Sequence, residues 1–208
     1  MASTPDITIS TPQPAMGAAQ ATLVLALCYA VYAILLNSVG TVILQSIASF
    51  HVEKLTASTL EAFKDLTIAV TSFTLAAQVP RMGLKTAMLL SLAIAATGCL
   101  MAAVVQQFWA MRALFFCIGL GFGLMKVAVY AAIGQFTASA SSHARMLGIV
   151  ESLFMVAVVA SAWIFALFID PAQPAGLGWL RVYWWLAAVC GLAAGGVMPA
   201  RFADNPAP

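Results

Sequence analysis

Charge is what this sequence has least of. Of 208 residues, 9 are Lys or Arg and 7 are Asp or Glu, 8% in all, against 63% hydrophobic. A soluble domain carries about a quarter charged residues, so this chain has too few to coat a water-facing surface. The same scarcity excludes a nucleic-acid partner, because a formal net charge of +2 without a basic cluster offers no footprint for a polyanion. Metal and redox chemistry lack their residues as well. Cys28, Cys99, Cys117 and Cys190 fall singly in apolar runs, with no Cys-x-x-Cys and no His at ligand spacing, and read as small core residues. No metal and no cofactor is expected. His51 and His143 both fall in expected connections. Gly-x-Ser-x-Gly, His-Glu-x-x-His and a pair of intramembrane aspartates are missing, so no catalytic residue is assigned and the chain is not read as an enzyme. Alternation at strand period is absent and every long apolar run exceeds strand length, which excludes a β-barrel.

What is present is long apolar runs, with a mean hydropathy of +1.00. A spanning helix takes about 20 residues, so the chain holds at most about six or seven. Residues 1–16 are small and polar and lack the basic start of a signal peptide; they read as a mobile cytoplasmic tail. No charge lies between Asp6 and Glu53, which gives a first helix over 18–44. A second runs over 58–79, with Glu61, Lys64 and Asp65 in its first two turns and Pro80 ending it. Its uncharged part, 66–80, is only 15 residues. It spans only if its charged turns sit at the interface or face the protein interior. Further helices are expected over 84–105, 108–136, 146–169 and 179–197, with a Ser/Ala-rich loop over 137–145 and a Pro/Gly loop over 170–178. Residues 199–208 form a short cytoplasmic tail. The fold class is an all-α membrane protein of six transmembrane helices.

Orientation follows from Lys and Arg near the helix ends. With the N-terminus inside, Arg81, Lys85, Arg145 and Arg201 lie on the cytoplasmic side, giving a multi-pass protein of the cell (inner) membrane with both termini cytoplasmic. Trp109, Trp179, Trp184 and Trp185 then form an outer aromatic belt.

This organisation resembles the N-terminal half of a major facilitator superfamily transporter. Residues 76–85, Ala-Ala-Gln-Val-Pro-Arg-Met-Gly-Leu-Lys, are similar to that family's loop motif Gly-x-x-x-Asp-Arg-x-Gly-Arg-Arg. Arg81, Gly83 and Lys85 match; Ala76, Pro80 and Leu84 depart from it. Pro80 replaces the Asp that latches the two halves in the family, so that latch is not carried over, and Arg81 and Lys85 are left to set topology or bind lipid phosphates. The fourth helix opens with Arg112 and continues through Gly119, Gly121 and Gly123, like the family's Arg-then-Gly-rich motif. The resemblance implies a 3+3 inverted-repeat bundle and transport of a small polar solute by alternating access, with a proton as a candidate coupling ion in symport. It also implies a second six-helix half, from another copy or a separate chain. A non-transporting six-helix accessory or assembly protein is the alternative.

Ionisable groups at bilayer depth cost about 2.5–3.5 kcal/mol on insertion scales and usually face a bundle interior or wet cavity. Lys126 is well inside the fourth helix and Glu151 about five residues into the fifth. A Lys126–Glu151 pair serves two readings, a substrate and proton site or a structural ion pair. Tyr130 and Gln135 extend the Lys126 face. Asn37 and Gln45 on the first helix suit a neutral polar solute or act as interhelical glue. Asp65 and Arg112 are expected at similar depth as a structural ion pair. The α-helical glycines are read as packing contacts.

Overall fold

The computed structural model describes residues 17–75, 77–200 and 202. The expected 1–16 tail, Ala76 of the loop motif, Arg201 and residues 203–208 lie outside them. The elements are α1 (Ala18–Asn37), α2 (Val39–Phe50), α3 (Lys54–Leu75), α4 (Val79–Met82), α5 (Leu84–Val105), α6 (Phe108–Phe136), α7 (Ala140–Ala166) and α8 (Val182–Val197), the last entered through a 3-10 turn at Gly178–Arg181. Among the described residues there is no strand.

Five helical stretches are long and apolar enough to cross a membrane: Ala18–Phe50, α5, α6, α7 and Gly178–Val197. The chain is therefore all-helical with the apolar helices of a membrane protein. The stretch expected to be weakest, α3, falls short of that measure. It is 22 residues long, but Glu61, Lys64 and Asp65 are clustered at its middle, so no long stretch of it escapes them.

Helices at 84–105 and 108–136 occupy the expected residues, because Gly83 and the Gln106–Gln107 pair bound long, predominantly apolar runs. Elsewhere the boundaries move. The first helix continues to Phe50 and is broken at Ser38, whose Oγ donates to the Leu35 carbonyl at 2.7 Å. Such back-bonding to the preceding turn bends helices. The second helix starts at Lys54 and stops at Leu75, before Pro80 is reached. Pro80 instead lies in the first turn of α4, where its missing N–H costs nothing.

The 137–145 segment is a loop only as far as Ser139. Ser139 caps α7, accepting from the Ser142 N–H at 3.2 Å, while the Ser142 hydroxyl accepts from the Ser139 N–H at 3.1 Å. This reciprocal box starts the helix six residues earlier than composition suggested. Ser139→Ala is expected to cost about 1 kcal/mol, read as faster amide exchange over the first turn of α7.

Gly83 has φ 85°, a region open to glycine and strained for other residues. Its N–H closes α4 on the Val79 carbonyl at 3.2 Å and its backbone turns the chain directly into α5. Gly83→Ala should lower stability by about 1–2 kcal/mol, measured by thermal unfolding in detergent.

The packing centres on α6. It lies between α3 and α5; α8 packs on α5; α1 packs on α7 and also touches α6 and α8; α2 lies against α3. The α6 glycines make this possible. A Cβ at Gly119 would stand 2.6 Å from the Lys64 carbonyl oxygen, and one at Gly123 would stand 2.8 Å from the Thr71 Cβ, both on α3. A Cβ at Gly121, on another side of α6, would stand 2.2 Å from the Tyr32 hydroxyl oxygen and 3.0 Å from the Ser91 carbonyl. Alternate glycines thus seat α3 on one side and α1 with α5 on the other. The Tyr32 and Ser91 hydroxyls lie 2.7 Å apart, and Ser91 Oγ donates to the Gly121 carbonyl at 2.8 Å. This buried network joins three helices.

Candidate functional site

On α6, Phe122, Lys126 and Tyr130 are spaced by four residues and so form one stripe. On α1, Tyr29 and Tyr32 are three apart; on α7, Glu151 and Phe154 are three apart. The fold brings these stripes together. The Tyr130 hydroxyl donates to Glu151 Oε1 at 2.7 Å. Tyr29 Oη donates to Tyr130 Oη at 3.4 Å, a long contact. Lys126 Nζ lies 5.9 Å from the centroid of the Tyr130 ring, within reach of a cation–π attraction. Rings of Phe122 and Phe154 pack on Tyr29 with centroids 5.6 and 4.8 Å away. A cation, two phenols and a carboxylate therefore form one polar line across α6, α1 and α7, bordered by aromatic rings.

Lys126, Tyr130 and Glu151 are thus brought together, but not as the direct pair expected. Among the described residues the ion pair found is Lys64–Asp65, at 3.3 Å. Tyr130 stands between Lys126 and Glu151, bonding one through its hydroxyl and meeting the other with its ring face. Glu151 is also deeper than expected. With α7 starting at Ala140, it lies eleven residues in, about 17 Å along the axis.

The other expected contacts fall elsewhere. Asn37 is exposed, its amide donating to the Ala33 carbonyl of its own helix at 2.9 Å. It marks the α1–α2 break, eight residues and about 12 Å from Tyr29. Gln135 is half-buried in the last turns of α6. Nine residues from Lys126 is two and a half turns, which puts Gln135 on the opposite side of α6 rather than on the Lys126 face.

Asp65 and Arg112 do not pair. Gly119 faces the Lys64 carbonyl, so Asp65 is level with the 119–120 turn, about 11 Å along α6 from Arg112. The earlier start of α3 moves Asp65 away from that end. Asp65 binds Lys64 with 61% of its side chain exposed. Arg112 instead lies over the Phe108 ring, Cζ 4.9 Å from the centroid, and its buried Nε has no hydrogen bond among the described residues.

In the loop motif, Gly83 makes the turn described above, Arg81 is exposed in the last turn of α4, and Lys85 Nζ donates to the Met198 carbonyl just beyond α8. Lys85 thus satisfies one of the carbonyls a helix end leaves open, a role no motif suggested. Trp179 leaves the expected belt: it is 2% exposed, with Nε1 donating to Ser49 Oγ at 3.2 Å. Trp109, Trp184 and Trp185 are exposed.

Tyr29, Tyr32, Phe122 and Phe154 were not singled out from sequence. Their spacing of three or four from Lys126, Tyr130 and Glu151 or from each other was the available signal, but the same spacing marks ordinary core. Among the described residues no group of three or more His, Cys, Asp or Glu could hold a metal. No protein-family profile, curated protein or solved structure matches this chain.

Proposed function

We propose that the protein moves a small polar solute across the cell membrane by alternating access of the major-facilitator type, through the line Lys126–Tyr130–Glu151 with Tyr29. The observation that carries this reading is the Tyr130–Glu151 hydrogen bond at 2.7 Å beside Lys126, a connected set of ionisable groups within otherwise apolar helices. Such groups are costly in hydrocarbon and are retained where they line a solute or ion path.

In this reading Lys126 attracts an anionic or oxygen-rich solute. Glu151 accepts a proton when the solute draws Tyr130 away from it, which couples uptake to a proton gradient. The bundle is one 3+3 inverted-repeat unit with both termini cytoplasmic. A second six-helix unit, another copy or a separate chain, supplies the opposite wall, because alternating access needs two bundles rocking about a midplane site.

The test is uptake into proteoliposomes of radiolabelled sugars, carboxylates and nucleosides, with and without an imposed proton gradient. Flux above that of protein-free vesicles is expected for one class. No flux for any class would overturn transport by this chain as paired copies and favour the accessory-protein reading.

A further inference from the structure

A second polar feature lies apart from the Glu151 line. Where α7 ends and the chain turns towards α8, a cavity of about 350 Å³ opens, lined among others by Gln45, Asp170, Gln173, Trp179 and Arg181. The first of its α7-end residues, Leu167, is sixteen positions beyond Glu151, about 24 Å at helical rise. We propose that this cavity binds a small zwitterion, its anionic group held by Arg181 and its ammonium group by Asp170, with the Gln45 and Gln173 amides completing the polar wall.

The charges carry the argument. Arg181 and Asp170 line the same cavity, yet no ion pair joins them, and the Arg181 guanidinium makes no hydrogen bond among the described residues. Asp170 Oδ1 accepts from the Ala172 N–H at 2.9 Å, which leaves its second oxygen for a ligand. A simple anion would meet Arg181 but be repelled by Asp170, and a simple cation would suffer the reverse. A molecule bearing both charges satisfies both groups.

The wall is built before any ligand arrives. The Gln173 N–H bonds the Asp170 carbonyl at 3.1 Å and the Gly176 N–H bonds the Gln173 carbonyl at 2.9 Å. Ser49 Oγ, which accepts from Trp179, donates to the Gly176 carbonyl at 3.1 Å. This ties the loop to the end of α2, and a preorganised wall reduces the ordering cost of binding. The volume lies in the range of small-molecule sites, roughly 300–1,000 Å³.

Two sources offer this chemistry, a free amino acid and the headgroup of phosphatidylethanolamine. The full chain is placed in phosphatidylglycerol nanodiscs, and equilibrium binding of tritiated L-alanine and 5-aminopentanoate is measured. A parallel arm adds phosphatidylethanolamine and reads retained lipid by native mass spectrometry. Either a free zwitterion binds, or the ethanolamine lipid is retained and displaces it. In both cases Arg181→Gln and Asp170→Asn each weaken binding at least tenfold, while propionate and propylammonium do not compete. Both substitutions are at exposed positions, and unchanged thermal unfolding confirms that the variants fold. Binding is read at equilibrium and not as uptake, which keeps the result separate from any failure of transport. The proposal is overturned if wild type holds neither free zwitterion nor ethanolamine lipid, or if it holds them as well after both substitutions.

Discussion

Gly121→Ala is expected to abolish the folded bundle or lower its stability by about 3 kcal/mol or more. The added Cβ would stand 2.2 Å from the Tyr32 hydroxyl and 3.0 Å from the Ser91 carbonyl, and neither can retreat cheaply. Tyr32 is fully buried and bonded to Ser91, and Ser91 is bonded to Gly121 itself. Overpacking alone costs about 1–3 kcal/mol, and leaving a buried polar group without its partner adds about 1–3 kcal/mol. Thermal unfolding in detergent, with size-exclusion behaviour as a check, measures the effect.

Two companions sharpen the test. Gly134→Ala adds its Cβ where none of the described residues lies within 4 Å, so it should be neutral or stabilising by up to about 1 kcal/mol through helix propensity. Tyr32→Phe removes the atom in closest conflict, so the double variant Gly121→Ala/Tyr32→Phe should be more stable than additivity of the single variants allows. If Gly121→Ala matches Gly134→Ala, the close approach of α1 and α5 to α6 does not exist as described.

If the proposed transport holds, Tyr130→Phe should reduce solute uptake at least tenfold, about 1.4 kcal/mol in the barrier, with little change in unfolding temperature. The ring that faces Lys126 remains; only the hydroxyl that donates to Glu151 is lost. Glu151→Gln tests the other end. Its amide oxygen still accepts from Tyr130, so the line keeps its geometry but loses a group that can bind a proton. Uptake by the Gln variant should no longer respond to an imposed proton gradient. Unchanged uptake in Tyr130→Phe, or an unchanged gradient response in Glu151→Gln, would remove these residues from the transport path.

Much of the helical layout was legible because a long apolar run bounded by glycine or polar residues has few alternatives; α5 and α6 show this. At the break in the first helix and the start of α7, a local hydrogen bond outweighed composition. Ser139 and Ser142 look like loop residues until they are seen to cap one another. Ser38 interrupts a run of uniformly apolar character without adding a charge. At the candidate site, Lys126 and Glu151 stood out because ionisable groups are rare in such runs, and Tyr130 followed from its spacing of four. Tyr29 did not stand out, since a tyrosine in an apolar helix is as well suited to core as to a polar site.

The sequence by itself determined the class of protein, because 8% charge and 63% hydrophobic residues leave no way to solvate a surface in water. It also determined which few side chains bear charge inside the helices. Only the tertiary structure decided their partners. Pairing depends on axial register and helix rotation, and both are set by which helices α6 admits at its glycines. That register carries Asp65 past Arg112 and places Tyr130 between Lys126 and Glu151. The fold of the α7–α8 connection places Arg181 and Asp170 in the lining of one cavity with no ion pair between them.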